Sequence, residues 1–153
     1  MTAALEDWDG EPFHGAKIAL VGGGLILTHL RDDIAGIPFP GRWDLPGGGR
    51  EGAESPAECA VRETFEEYGL TLDPGSFRYA RRQASGRGAR IPSWFFGAPL
   101  PPGASERIRF GDEGQYWRLM PVGEFLVHPL GIGRLQARVR RCLAAMESLG
   151  GAA

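Results

Sequence analysis

The chain has 153 residues, with 24 glycines, 12 prolines and a formal net charge of −2. That balance argues against a general polyanion binder, whose affinity would come from many Lys and Arg contacts to phosphate. Its 42% hydrophobic and 24% charged residues are ordinary for one globular domain with a real core.

Only Cys59 and Cys142 are present, and no CxxC occurs, which fits a reducing compartment and leaves no zinc site legible in the sequence. The acidic start, MTAALEDWDGEPFHG, lacks the positive, then apolar, pattern of a signal peptide. The longest apolar run, IALVGGGLILTHL at 18–30, is too short and glycine-broken to span a bilayer. The expected setting is the cytoplasm, with no membrane partner.

Residues 1–16 read as a loosely ordered lead-in and 17–150 as a single domain. The stretches 17–22 and 25–31 read as strands joined across Gly22–Gly24, and 32–41 as a loop rich in Pro and Gly. A short strand, RWDLP at 42–46, runs into the glycines 47–49. Ser55, Pro56 and Glu58 then form a capping box with proline at the first helical position. Gly69 is the natural stop, so a helix is predicted over 56–68. Residues 77–83 and 91–100 read as a strand pair around SGRGA, and 114–120 as a further strand. A short helical turn follows at 121–126. A final amphipathic helix is predicted over 133–149, with Leu135, Val139, Cys142, Leu143, Met146 and Leu149 as its apolar stripe. Strands interleaved with two helices predict an α/β fold, a mixed sheet sandwiched by helices.

Helical steps of about 100° put Ala57, Val61, Thr64, Phe65 and Tyr68 on one side of the 56–68 helix. Glu63, Glu66 and Glu67 are expected opposite them, with Cys59 among them. Carboxylates three and four apart repel, and the negative end of the helix dipole makes them worse. Solvated acidic faces usually intersperse cations, yet only Arg62 is near. A hard divalent cation would resolve the repulsion, and Mg²⁺ favours a few carboxylates plus substrate phosphates.

Adding the upstream residues extends the pattern: Gly48, five residues, Glu54, seven residues, Arg62-Glu63, two residues, Glu66-Glu67, one residue, Gly69, Leu70. This stretch, 48–70, resembles the signature of the Nudix hydrolases, with Thr64 as the one soft departure. WDLPGG before it and the aromatic strand WFFGAPL after it also resemble that family.

The resemblance implies a Nudix-type α/β/α sandwich with a mixed β-sheet. It implies cleavage of a nucleoside diphosphate linked to another group, with Mg²⁺ or Mn²⁺ as cofactor. Carried over, Glu63, Glu66 and Glu67 would hold the metal, with Glu54 nearby and a carbonyl of Gly47 or Gly48 as a further oxygen. Arg62 would orient the glutamates, and Glu63 or a neighbour would act as general base. Many members add a glutamate from a later loop, and Glu113 is the candidate. Such chemistry rests on charge neutralisation and an in-line water more than on covalent steps.

Between Pro74 and Ser105 there is no Asp or Glu but five arginines: Arg78, Arg81, Arg82, Arg87 and Arg90. Arg81, Arg82, Arg87 and Arg90 are candidates to grip substrate phosphates. The alternative is a hairpin edge kept from aggregating by charge. Trp43, Trp94, Phe95 and Phe96 are core aromatics or a base-stacking platform, and His14, His29 and His128 carry no motif. GGGREG at 47–52 also fits G-x-G-x-x-G, but no α/β repeat follows it. The expected substrate is a small-molecule nucleotide: a nucleoside triphosphate first, cleaved to monophosphate and pyrophosphate, then a nucleoside-diphosphate sugar. The competing class is a non-catalytic Nudix-fold nucleotide-binding regulator. No stable nucleic-acid complex is expected, and a homodimer is left open.

Overall fold

The structure is a computed structural model that describes residues 7–84 and 91–150, the last three by their backbone alone. Strands β1 (Gly15–Gly22) and β2 (Leu25–Leu30) form an antiparallel hairpin. Its turn needs glycine, because Gly23 and Gly24 both sit at positive φ, 58° and 78°. The two strands pair only near the turn, Val21 opposite Ile26, and then diverge.

The wedge between them is filled by the segment 43–49. Its first part, β3 (Trp43–Asp44), pairs with the end of β2, while β4 (Gly47–Gly49) pairs with the start of β1. The strand expected over 42–46 is therefore only 43–44, and the glycines 47–49 after it form a strand of their own. Pro46 has no N–H for the ladder and instead its carbonyl accepts from the Ile18 N–H at 3.0 Å. On its other side β1 runs parallel to β6 (Ser93–Pro99), and β5 (Tyr79–Gln83) is antiparallel to β6 and closes that edge. Strand β7 (Tyr116–Pro121) pairs along the whole of β2.

Helix α1 (Pro56–Tyr68) lies on one face of this mixed seven-stranded sheet. A short α2 (Ala104–Arg107) and α3 (Val122–Val127) precede α4 (Gly133–Gly150), which covers the other face. Alternation along β1 divides the core: Ile18 and Leu20 pack with Ala57, Ala60 and Tyr68, while Ala19 packs with Leu135, Val139 and Cys142. No described helix is long and apolar enough to cross a membrane.

Three expectations are corrected. The fold starts before residue 17: β1 opens at Gly15, Phe13 is buried, and Trp8 packs on the same core. Phe65 was expected on the docked face of α1 but is 57% exposed. Conversely Cys59 is fully buried and Glu67 turns toward β4, both having been expected on the free acidic face. The cause is β4, which wraps one flank of α1 and widens its buried arc beyond what the sheet alone would cover.

Candidate active site

Helix α1 begins as its sequence dictates. The Ser55 hydroxyl accepts from the Glu58 N–H, and the Glu58 carboxylate accepts from the Ser55 N–H. Gly69, at φ 69°, ends it by donating to the Phe65 carbonyl. The helix presents Arg62, Glu63, Glu66 and Glu67 beside β4 and the loop 50–55.

Arg62 is the positive group that answers the acidic cluster. Its Nε and Nη2 grip both oxygens of Glu54 at 3.0 and 2.9 Å. Its Nη1 donates to Glu63 at 2.9 Å and Glu66 at 3.0 Å, and lies 3.5 Å from Glu51. Nη2 also donates to the Gly49 carbonyl at 2.7 Å, which fixes the guanidinium against β4. The hydrogen bonds from Arg62 hold the Glu54 carboxyl below its ordinary range. Burial pushes Glu63 up despite Arg62. One guanidinium thus faces four carboxylates.

Oxygens of Glu51, Glu63 and Glu66 lie within 4.8 Å of one another. Of these, Glu63 and Glu66 are metal candidates from the sequence, but Glu51 is not, because it sits in a loop outside any helical spacing. Glu67 is drawn away: its Oε1 accepts from the Gly47 N–H at 2.9 Å, and burial pushes its pKa up to about 8. Gly48 is close enough to the cluster that an added Cβ would stand 2.6 Å from a Glu63 oxygen. Its carbonyl accepts a weak bond from the Cys59 thiol at 3.5 Å, and burial pushes that thiol up to about 12.

Glu113 is exposed in a loop tied to the C-terminal end of α1. The Arg109 and Gly111 N–H groups in that loop donate to the carbonyls of Tyr68 and Glu67. The structure does not bring Glu113 into the Arg62 cluster.

A cavity of about 500 Å³ opens against Gly48 and Gly49. Its charged lining comes from residues outside the 48–70 signature: Lys17, Arg31, Asp44, Arg134 and Arg138. Asp44 is buried in the β3 wedge and binds Lys17 at 3.0 Å and Arg31 at 2.8 Å. Burial opposes its charge, but Lys17, the adjacent His29 and the Leu45 N–H more than offset this and hold it below the usual carboxylate range. His29 is buried and shares a hydrogen bond with the Tyr68 hydroxyl; desolvation lowers its pKa to about 4. The signals for this group were Lys17 inside an apolar strand and Asp44 inside WDLP, polar residues that need partners.

Of the arginines of the hairpin, Arg81 and Arg82 do not line that cavity. Arg81 and Arg82 are exposed on the edge strand β5, and Arg82 pairs with Glu11. Arg87 and Arg90 lie outside the described residues. Trp94 lines the cavity, whereas Phe95 and Phe96 are fully buried in the two core layers.

The chain matches the model of the NUDIX domain over residues 14–140. It is 56% identical over 37 residues to a bovine diphosphoinositol polyphosphate phosphohydrolase 3-beta, a match covering 24% of this chain and 23% of that protein. The curated relatives are thus matched over about a quarter of their length. Among solved structures, a NUDIX hydrolase from Nitrosomonas europaea superposes with a TM-score of 0.69 at 22% identity, covering 92% of this chain and 74% of that one. A MutT protein from Methanosarcina mazei gives 0.67 at 19% identity, covering 86% and 94%.

Proposed function

Because the chain belongs to the NUDIX domain family, we propose that it is a divalent-metal-dependent pyrophosphohydrolase. Its leading substrate is a nucleoside triphosphate, which water splits into a monophosphate and pyrophosphate. The observation that carries this reading is the Glu51, Glu63 and Glu66 triad beside a cavity. Three convergent carboxylates with one shared arginine leave a surplus of negative charge, and hard oxygen donors match Mg²⁺ or Mn²⁺. Glu51, Glu63 and Glu66 would hold the ion, with Glu67, Glu54 and the Gly48 carbonyl close by. A bound divalent ion polarises phosphoryl oxygens and offsets charge that builds on them.

The chain's own groups do the rest. Arg62 holds the carboxylates in register through four hydrogen bonds and is itself fixed by a fifth to the Gly49 carbonyl. The attacking water bonds to phosphorus as the anhydride P–O bond breaks, and its proton passes to a carboxylate. Glu63 and Glu66 are the carboxylate bases assigned to that transfer, and Glu113, outside the Arg62 cluster, is the loop alternative. The cavity takes the remainder of a small-molecule substrate, and the cytoplasm is the setting.

A second reading has its own support: a diphosphate carried on a phosphorylated polyol. The cationic cavity lining and the local likeness to diphosphoinositol polyphosphate phosphohydrolases favour it. The test is release of phosphate or pyrophosphate from nucleoside triphosphates, nucleoside-diphosphate sugars and diphosphoinositol polyphosphates, with Mg²⁺ or Mn²⁺ and with excess EDTA. Metal-dependent turnover of a triphosphate supports the first reading. Turnover undiminished in EDTA removes the metal assignment, and binding without turnover of any of them makes the protein a nucleotide-binding regulator.

A further inference from the structure

Charge in the cavity is one-sided. Lys17 and Arg31 share Asp44, so that pair is only half neutralised. Arg134 and Arg138, one helical turn apart on α4, add two more cations. Neither has a carboxylate within 4.0 Å among the described residues. Arg134 stands 5.2 Å over the Phe39 ring, and among the described residues Arg138 donates to the Ala84 carbonyl alone, at 3.0 Å. Burial, with Arg134 and Arg141 nearby, holds Arg138 below the ordinary arginine range. A half-buried cation among like charges is costly unless an anion joins it.

Two independent features mark the same place. Gln83, paired across the sheet with the cavity-lining Ser93 though not itself a lining residue, has its Nε2 buried without an acceptor, one unspent donor beside the cavity. Phe39, at the cavity edge, is the one described non-glycine residue at positive φ, 50°. A bulky side chain is held there only against strain, a feature that concentrates at ligand sites. The Arg31 Nε bond to the Pro38 carbonyl, 2.9 Å, secures that loop to the cavity wall.

We propose that Arg134 and Arg138 form an anion subsite in this cavity, holding a phosphate of the substrate beyond the diphosphate cleaved at the acidic cluster. The subsite rests on the hydrolase reading for its role but not for its existence, since anion binding there needs neither metal nor turnover. It selects substrates with a further phosphate over those ending in a neutral sugar.

The experiment is calorimetric binding in EDTA of two probes, inositol hexakisphosphate and ADP-glucose, to wild type, R134Q, R138Q and R81Q. R81Q is the control for general attraction, because Arg81 is exposed outside the cavity. The expected result is a tenfold or greater loss of hexakisphosphate affinity in both R134Q and R138Q, with ADP-glucose binding within twofold of wild type. R81Q should stay within twofold for both probes. Hexakisphosphate binding within twofold of wild type in R134Q and R138Q would overturn the proposal, as would an equal loss in R81Q. If wild type hydrolyses nothing while the two α4 variants still lose affinity, the hydrolase reading fails and the subsite stands. R134Q guards against misfolding of R138Q, because Arg134 is exposed and its removal leaves the core untouched.

Discussion

Replacing Arg62 by Met tests whether the acidic cluster is built to accept a cation. The substitution keeps much of the aliphatic stem and removes five hydrogen bonds to Glu54, Glu63, Glu66 and the Gly49 carbonyl. Glu66 is 53% exposed, so its bond is worth little in water. Glu54 and Glu63 are only 14% and 17% exposed and would be left partly buried without a counter-charge. Stripping one partner from such a pair costs about 3 kcal/mol. For a chain of this length that is a fall in Tm of about 9 °C. The assay is thermal unfolding in EDTA and again with Mn²⁺. Since the ion supplies positive charge to the same carboxylates, Mn²⁺ should raise the Tm of R62M more than that of wild type. A Tm in EDTA within 2 °C of wild type would refute the reasoning, showing that solvent already screens the four carboxylates.

Two further outcomes are expected. Glu67→Gln keeps an oxygen for the Gly47 N–H and replaces a carboxyl whose charge burial already disfavours, so metal-free stability should hold or rise, while loss of a donor beside the proposed ion should cut turnover at least a hundredfold. Wild-type turnover in this variant would show that Glu67 plays no part in the chemistry. Because the folded pKa of His29, about 4, lies below its ordinary 6.5, the unfolded chain takes up this proton first. His29 by itself then contributes a decline of about 3 kcal/mol as pH falls from 6.5 to 4, against Glu67, whose raised pKa favours the folded state over the same fall. Asp44 loses its contribution only below its ordinary 3.8, outside that window. Urea unfolding of H29N should lack the His29 contribution over the same range, and an unchanged slope would remove His29 from the account.

Much of the fold was legible because it is written locally. The capping box at Ser55 and Glu58 and the stop at Gly69 bound α1 at 56–68 as the structure has it. The stripe Leu135, Val139 and Cys142 docks α4 as its spacing requires. What periodicity misjudged on α1 was which flank would be covered. It weighs Phe65 as apolar and Glu67 as polar, but β4 lies against the Cys59, Glu63 and Glu67 flank and leaves Phe65 in solvent. Glu51 was invisible for a similar reason: a loop residue has no period, and only the turn held by the Arg50 bond to the Glu54 carbonyl swings it to the cluster. The cationic lining was harder still. Lys17 meets Asp44 across 27 residues of chain, and Arg134 and Arg138 look like the solvated side of an amphipathic helix until the cavity forms beside them.

The divergence of β1 from β2 joins these two halves of the site. A hairpin paired along its whole length would leave no room for residues 43–49, and neither the Asp44 cluster nor the Gly48 approach to Glu63 would exist. With the wedge in place, the peptide at Gly47 is used on both sides. Its carbonyl accepts from Lys17 at 3.1 Å and its N–H donates to Glu67 at 2.9 Å. Only glycine fits, because φ is 135° and an added Cβ would stand 2.1 Å from the Ala16 carbonyl oxygen. The cations of the cavity and the carboxylates of α1 are therefore held a few bonds apart by main chain rather than by side chains that can change rotamer. That is the arrangement a polyphosphate requires: donors for its outer oxygens on one wall, and a cation-holding acid cluster on the next.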